Sequence, residues 1–334
     1  MRPVVRALVG LSVAVFSGAC ATARPERTAA TSTRPSEVET KCGGCHATQS
    51  AEWDESMHHA SFSSPDFQAS YREEPLPFCV GCHAPRKADL GMAEGAARGI
   101  DCASCHPHAD EHDRAARVSH AAARDTAPHE VRDCASCHEL TSPGSGTFLQ
   151  STVSEHRASS ARDVPCASCH MPQHERGKHD HRFRVSRDAR FLSHAIALRD
   201  VRREPEGVVL TLASVGVGHC YPTGDIFREL FVRAWIETED GHVVGDVEVA
   251  LHRDWDAHRR AFGKEHAPIE VGDTRLCNED RLVRIPGTMA QRVPLVVRVI
   301  VDYRRGFEAR GGNLAVFESL RIADWQRSLP AKNP

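Results

Sequence analysis

The sequence predicts an α+β protein in two parts: a mostly helical and loop N-terminal domain with little apolar core, then an all-β, sandwich-like domain. Three observations carry this. Val, Ile, Leu and Phe supply 18 of the 153 residues over 41–193 but 41 of the 141 over 194–334. The N-terminal part repeats Cys-x-x-Cys-His five times, and the C-terminal part shows β-branched, period-two segments punctuated by turn residues.

The first twenty residues carry Arg2 and Arg6, an apolar run from Ala7 to Phe16 and small residues up to Cys20. Such a run is too short for a membrane span and reads as a signal-peptide core. Ser17-Gly18-Ala19-Cys20 resembles a bacterial lipobox, with Cys20 lipidated, although Ser17 departs from the usual aliphatic residue. Cleavage after Ala21-Thr22-Ala23 is the alternative, and either route exports the chain. Residues 21–40 hold Thr, Ala, Arg, Pro and Ser with no aromatic residue, the composition of a flexible tether. The expected place is therefore the periplasmic side, with any membrane attachment made only through a lipid anchor. The formal net charge of −3 favours neither nucleic acid nor an anionic membrane surface as a partner.

Over 41–193 the apolar content falls below the roughly 20% that marks disorder, so the core must come from something other than side chains. The five motifs supply the answer. They are Cys42/Cys45/His46, Cys79/Cys82/His83, Cys102/Cys105/His106, Cys134/Cys137/His138 and Cys166/Cys169/His170. Two thiols at this spacing add across the vinyl groups of one porphyrin, and the next residue offers an imidazole to its iron. A zinc ribbon, a redox dithiol or a disulfide needs no His after the second Cys. With 21 His in 334 residues, five such coincidences have odds of about one in a million. The cofactor expected is five covalently attached haem c groups, large apolar plates around which short helices and loops can pack. The last three motifs begin at 102, 134 and 166, a period of 32 residues, and each reads Cys-Ala-Ser-Cys-His. A second echo lies in the flanks: Glu52 and Ser56 follow motif one, and Glu155 and Ser159 precede motif five at the same offset.

From 194 the strands expected are Gly207–Val215, Phe231–Thr238, Val243–Leu251, Leu282–Ile285 and Pro294–Tyr303, with turns at Glu239-Asp240-Gly241 and Arg304-Arg305-Gly306. In Phe231–Thr238 the even positions Val232, Ala234 and Ile236 should face inward. Short strands of this kind argue for an antiparallel sandwich. Cys220 and Cys277 are the remaining thiols of the folded part, and in an exported chain such a pair reads as a disulfide.

These residues resemble the multihaem c-type cytochromes related to the tetrahaem electron acceptor of hydroxylamine oxidoreductase. The resemblance rests on Trp53-x-x-Ser56-x-His58, Gly99-Ile100-Asp101, Met171-Pro172 after motif five and His181-x-Phe183. A related group appends a β-domain opening like Gly218-His219-x-Tyr221-Pro222-Thr223-Gly224, with Arg228 close behind. Relatives tend to carry Trp where this chain has His156. The resemblance implies electron transfer and places a sixth iron ligand at His58, with His59 a neighbouring rival.

Sixteen His remain beyond the proximal five. Among the other candidate distal ligands are His129 ahead of motif four, with His120 competing, and His181, with His179 as its rival. His219 in the β-domain and the weaker His156 complete the set, with His108 or His112 able to serve instead. Met171 follows a proximal His directly and cannot curl onto the same iron. His242, His252, His258 and His266 read as surface residues. The first functional reading is an exported pentahaem electron carrier, working with other redox proteins or a membrane respiratory complex. A reductase of a small nitrogen or sulfur oxyanion is the alternative, against which stands the lack of any Cys-x-x-Cys-Lys. A third reading, compatible with the first, makes the β-domain a docking module in a larger redox complex.

Overall fold

The computed structural model describes residues 42–73, 75–106, 134–141, 148–174, 177–185, 187–255, 270–287, 293–308 and 314–331. The expected leader and tether, Cys20, His108, His112, His120, His129, His258 and His266 lie outside them. All described residues belong to one compact unit.

Short helices dominate up to residue 193, and local chemistry explains their brevity. Helix α1 (Ala47–Asp54) follows motif one, and α2 (Pro65–Glu73) and α3 (Pro77–His83) follow in turn. Pro77 sits at the first helical turn, where its missing N–H costs nothing, and it holds Leu76 extended. Helices α4 (Lys87–Leu90) and α5 (Met92–Arg98) are broken apart by Gly91 at φ 81°. Motif three forms α6 (Cys102–Cys105), capped by Asp101, whose Oδ1 accepts the Ser104 N–H at 2.9 Å. Motif four forms α7 (Ala135–His138), then a small hairpin of β1 (Glu139–Thr141) and β2 (Phe148–Ser151). Helix α8 (Thr152–Ala158), motif five in α9 (Cys166–His170) and α10 (Ala189–Ser193) complete this part. Its buried set is as polar as the composition foretold: beside Trp53, Val80 and Leu149 lie Glu52, Ser56, Ser61, Arg98, Asp101 and Asp180.

The all-β character of the C-terminal part is realised in two main antiparallel sheets. One has the order β11-β10-β5-β6, the other β3-β4-β9, and β7 pairs with β8 as a separate ribbon. The strands run β3 Ile196–Glu204, β4 Gly207–Ser214, β5 Arg228–Thr238, β6 Val243–Leu251, β7 Arg253–Trp255, β8 Glu270–Asp273, β9 Arg281–Pro286, β10 Leu295–Glu308 and β11 Leu314–Leu329. One apolar cluster joins the main sheets: Leu230, Val232, Ala234 and Ile236 of β5 and Val297 and Val299 of β10 share it with Val208, Leu210, Leu212 and Ile285. Each such Val, Leu or Ile contributes about 2 kcal/mol on burial.

The even positions of β5 face inward as the period-two pattern requires, while β3 and β11 were not expected. One expected turn is corrected: Arg304-Arg305-Gly306 lies inside β10, which runs on to Glu308 in register with β11. Residue shifts at Val301/Asp302 and Arg305/Gly306 absorb the Gly without ending the strand. The turn at 239–241 is present, with Gly241 at φ 84°.

Candidate haem-binding sites

Three motif histidines, His83, His138 and His170, and their neighbours define the geometry. The rings of His58 and His138 have centroids 6.3 Å apart, and those of His170 and His219 are 6.1 Å apart and nearly parallel at 9°. With metal–nitrogen bonds of about 2 Å and roughly 1 Å from ring nitrogen to ring centre, two imidazoles on opposite sides of one metal have centres about 6 Å apart. Both pairs thus have the separation of two axial ligands on one iron, each joining a motif His to a distant His.

The hydrogen bonds around these rings test the fit further. A metal-binding His commonly gives its second ring N–H to a carbonyl, which fixes the tautomer and frees the other nitrogen. Nδ1 of His83 lies 2.7 Å from the Ser61 carbonyl, that of His219 2.8 Å from the Cys220 carbonyl, and that of His181 2.9 Å from the His179 carbonyl. A carbonyl can only accept, so Nδ1 carries the proton in all three and Nε2 is left to bind. For His138 the amide of Gln150 lies 2.9 Å from Nδ1, and it must turn its oxygen to that ring for Nε2 to ligate. His170 departs from the pattern: its Nδ1 is buried with no hydrogen-bond partner among the described residues. The motif residues fit covalent haem, and haem would be held by Cys pairs, motif His and these facing imidazoles.

Electrostatics places three motifs next to one another. Burial, then His138, then His170 lower the His58 pKa to about 4. Burial, His219 and His138 lower that of His170 to about 4. Burial, then Arg228, then His83 depress His138. The Cys82 thiol is raised first by its hydrogen bond to Cys137. Motif two therefore borders motif four, and motif four borders motif five. Phe67 stacks on His83 at 3.9 Å, backed by Phe62 and Tyr71.

Two local devices hold His58. Gly99, at φ 59°, lets the chain pass so close that an added Cβ would lie 2.3 Å from the His59 carbonyl oxygen and 2.6 Å from that of His58. The Ile100 N–H then donates to the His58 carbonyl at 2.9 Å, and the Ile100 carbonyl accepts the Trp53 indole N–H at 2.7 Å. From the other side Phe183, at a strained φ of 47°, sets its ring edge-on to His58 at 4.2 Å. The neighbouring His59 shows the same pattern, with Nδ1 3.1 Å from the Asp54 carbonyl, and packs its ring against Trp53.

His219 is supplied by the β-rich part, and its loop is tied at every residue. Cys220 and Cys277 are joined by a disulfide. Tyr221 exchanges main-chain hydrogen bonds with Leu276 at 2.7 and 2.9 Å, and its hydroxyl donates to the Leu192 carbonyl at 3.0 Å. The Pro222 carbonyl accepts from Arg275 at 3.2 Å. Glu155 on α8 accepts from Cys220 N–H at 3.2 Å and from the Thr223 hydroxyl at 2.7 Å, and pairs with Arg275 at 2.8 Å. Gly218 permits the approach, since a Cβ there would meet Ala161 at 2.9 Å and His156 at 3.1 Å.

His156 accordingly packs at this junction. His46 and His106 are exposed, His179 turns its Nδ1 to the Met171 carbonyl at 2.7 Å, and His242 is exposed. Sequence reasoning missed Glu155, Arg275, Gln150 and Phe67 as neighbours of the sites. The offset shared by Glu52 and Glu155 was the one signal for the first.

Repeated Cys-x-x-Cys-His on short helices, with imidazole pairs at axial separation, is the arrangement that a c-type cytochrome of several haems requires. The comparisons support that class. The family of cytochrome c554 and c-prime matches residues 41–107. The solved structure of a penta-heme cytochrome c552 from Thermochromatium tepidum has the same fold, with a TM-score of 0.63 at 20% identity, covering 86% of this chain and 97% of its own. No curated protein matches the chain. No helix among the described residues is long and apolar enough to cross a membrane.

Proposed function

We propose that the protein is an exported pentahaem electron carrier whose irons are each held between two His. The observation that carries this reading is the pair of facing imidazoles, His58 with His138 and His170 with His219, at 6.3 and 6.1 Å. Haem iron, when bound, supplies a one-electron change whose potential depends on axial ligands and burial. The chain's own work is to hold that chemistry steady. A second imidazole leaves no coordination position for a substrate oxygen, and the burial that disfavours protonation of His58 and His170 leaves each ring one unprotonated nitrogen to bind. The adjacency of motifs two, four and five brings sites close enough to exchange electrons without a diffusing intermediary.

In this reading Cys42, Cys45, Cys79, Cys82, Cys102, Cys105, Cys134, Cys137, Cys166 and Cys169 carry five haems, and the three remaining distal ligands come from His181, from His129 or its rival His120, and from His156. Residues 41–193 form the cytochrome domain and 194–334 the β-domain, related to the electron acceptors of hydroxylamine oxidoreductase. Because the β-domain offers His219, it completes a haem site as well as offering a surface to a partner. Cys20 carries lipid and holds the molecule to a membrane from the periplasmic side, where other redox proteins or a respiratory complex supply and take electrons.

The test is turnover. Dithionite-reduced protein mixed with nitrite, hydroxylamine or tetrathionate should show no sustained consumption of an excess dye reductant, while a small redox protein reoxidises it. Sustained turnover of any of the three would make it a reductase.

A further inference from the structure

The flanking echo of motif one and motif five is a structural duplication. Glu52 lies in α1 and Glu155 in α8, and each is followed four residues later by a buried Ser. That Ser closes its helix in the same way both times: Ser56 N–H donates to the Trp53 carbonyl at 2.8 Å and Ser159 N–H to the His156 carbonyl at 3.0 Å. Each Ser Oγ then accepts a main-chain N–H just beyond, from His59 at 3.2 Å and from Ala161 at 3.0 Å.

The two carboxylates also do the same thing at long range. Glu155 Oε2 accepts the N–H of Cys220, the residue after His219, while Oε1 pairs with the buried Arg275. Glu52 Oε2 accepts the N–H of His181 itself at 3.0 Å, while Oε1 lies 2.7 Å from His174 Nε2. In both cases one oxygen grips the main chain at a candidate sixth ligand some 65 or 129 residues away, and the other is fixed by a cationic or hydrogen-bonding side chain. In both cases the gripped His turns Nδ1 to a backbone carbonyl and leaves Nε2 free. Two carboxylates buried to 8–10% of their exposure would be costly to keep in a fold without such partners.

We propose that Glu52 and Glu155 are duplicated positioning carboxylates, each fixing the loop that presents a distal imidazole, His181 and His219 respectively. The proposal rests on the reading of those two His as sixth ligands. Neither Glu touches the iron; each acts by denying its loop the freedom to swing away. Outer partners of metal ligands of this kind are worth roughly 10–100-fold in the hold on the metal site.

The experiment uses full-length protein matured with haem, with five haems per chain verified by mass. Carbon monoxide binding to the reduced protein reads five-coordinate iron. In Glu155→Ala and in Glu52→Ala the CO-reactive fraction should rise at least about tenfold over wild type, and in the double variant the two increments should add. Glu139→Ala is the control, because Glu139 caps the same helix through the N–H groups of Val153 and Ser154 but does not touch the His219 loop; it should remain CO-silent. Should an alanine variant fail to mature, Glu155→Gln keeps the volume while giving up the charge pairing with Arg275, and should move in the same direction. A fully haemylated Glu155 variant that is as CO-silent as wild type, while His219→Ala binds CO, overturns the positioning role and leaves the ligand reading standing. If His219→Ala and His181→Ala are both CO-silent, the ligand reading itself falls.

Discussion

Gly99→Ala offers a sharp test of how the fold holds a proposed haem ligand, His58. Gly99 has φ 59° and ψ −125°, a region that side chains with a Cβ do not adopt. Forcing Ala into such a conformation costs about 1–3 kcal/mol. Relief by backbone movement would break the Ile100 N–H bond to the His58 carbonyl, a loss of about 1 kcal/mol. The new Cβ would also stand 2.3 and 2.6 Å from two carbonyl oxygens, contacts that no neighbouring side-chain rotation can relieve, because both are main chain. Strain and the lost bond together give a destabilisation of about 2–4 kcal/mol, near the upper end for single substitutions. Because the displaced carbonyl belongs to His58, the damage should reach the imidazole. Guanidinium unfolding followed at the Soret band of five-haem protein measures the first effect, and carbon monoxide binding to one haem per chain the second. A variant within about 1 kcal/mol of wild type and silent to carbon monoxide would refute the claim that Gly99 fixes His58.

Further expectations follow from the same contacts. Gly218→Leu should push the His219 loop off Ala161 and His156 and open one haem to carbon monoxide, whereas Gly216→Ala, with nothing within 4 Å, should cost only the strain of its φ of 64°; equal effects would deny the junction its role. Acidification should weaken the fold as pH falls from 6.5 towards 4. Burial lowers the proton affinity of His58 and His170 in the folded state, and a nitrogen that binds iron must likewise be unprotonated, so the unfolded chain binds more protons across that window and stability is full above it. Denaturant titrations of the haem-bearing protein at pH 7 and 5 check the sign. Cys220→Ser with Cys277→Ser removes a cross-link closing 57 residues and should lower the unfolding midpoint by about 2–4 kcal/mol equivalent while retaining the β-sheet circular dichroism signal.

Much of this was readable in the residues, for identifiable reasons. The five motifs announce their cofactor because covalent attachment demands a fixed spacing. The poverty of Val, Ile, Leu and Phe in 41–193 announces a core that side chains do not make, and the structure buries Ser, Glu and Asp there instead. Strands β5 and β6 were legible because alternate residues face the core. Strand β3 was not, since Arg199, Asp200, Arg202 and Arg203 break its apolar alternation on the solvent side. Long-range pairing was beyond reach: nothing in the order of residues says that His58 faces His138, or that His219 crosses from the β-rich part to His170. Such contacts join segments separated by long stretches of chain, and only the packing of both parts decides them. The proposed role of Glu155 lay between these cases, visible as an echo of Glu52 and unreadable until both carboxylates were seen bonded to the main chain at a candidate ligand.

The central claim, that each iron is held between two imidazoles and so carries electrons without binding substrate, is tested most directly by quantitative electron paramagnetic resonance of the oxidised five-haem protein. The account predicts low-spin ferric signals integrating to five irons per chain and no high-spin component beyond trace. A high-spin signal integrating to one iron per chain would contradict it and place an open coordination site in the native molecule.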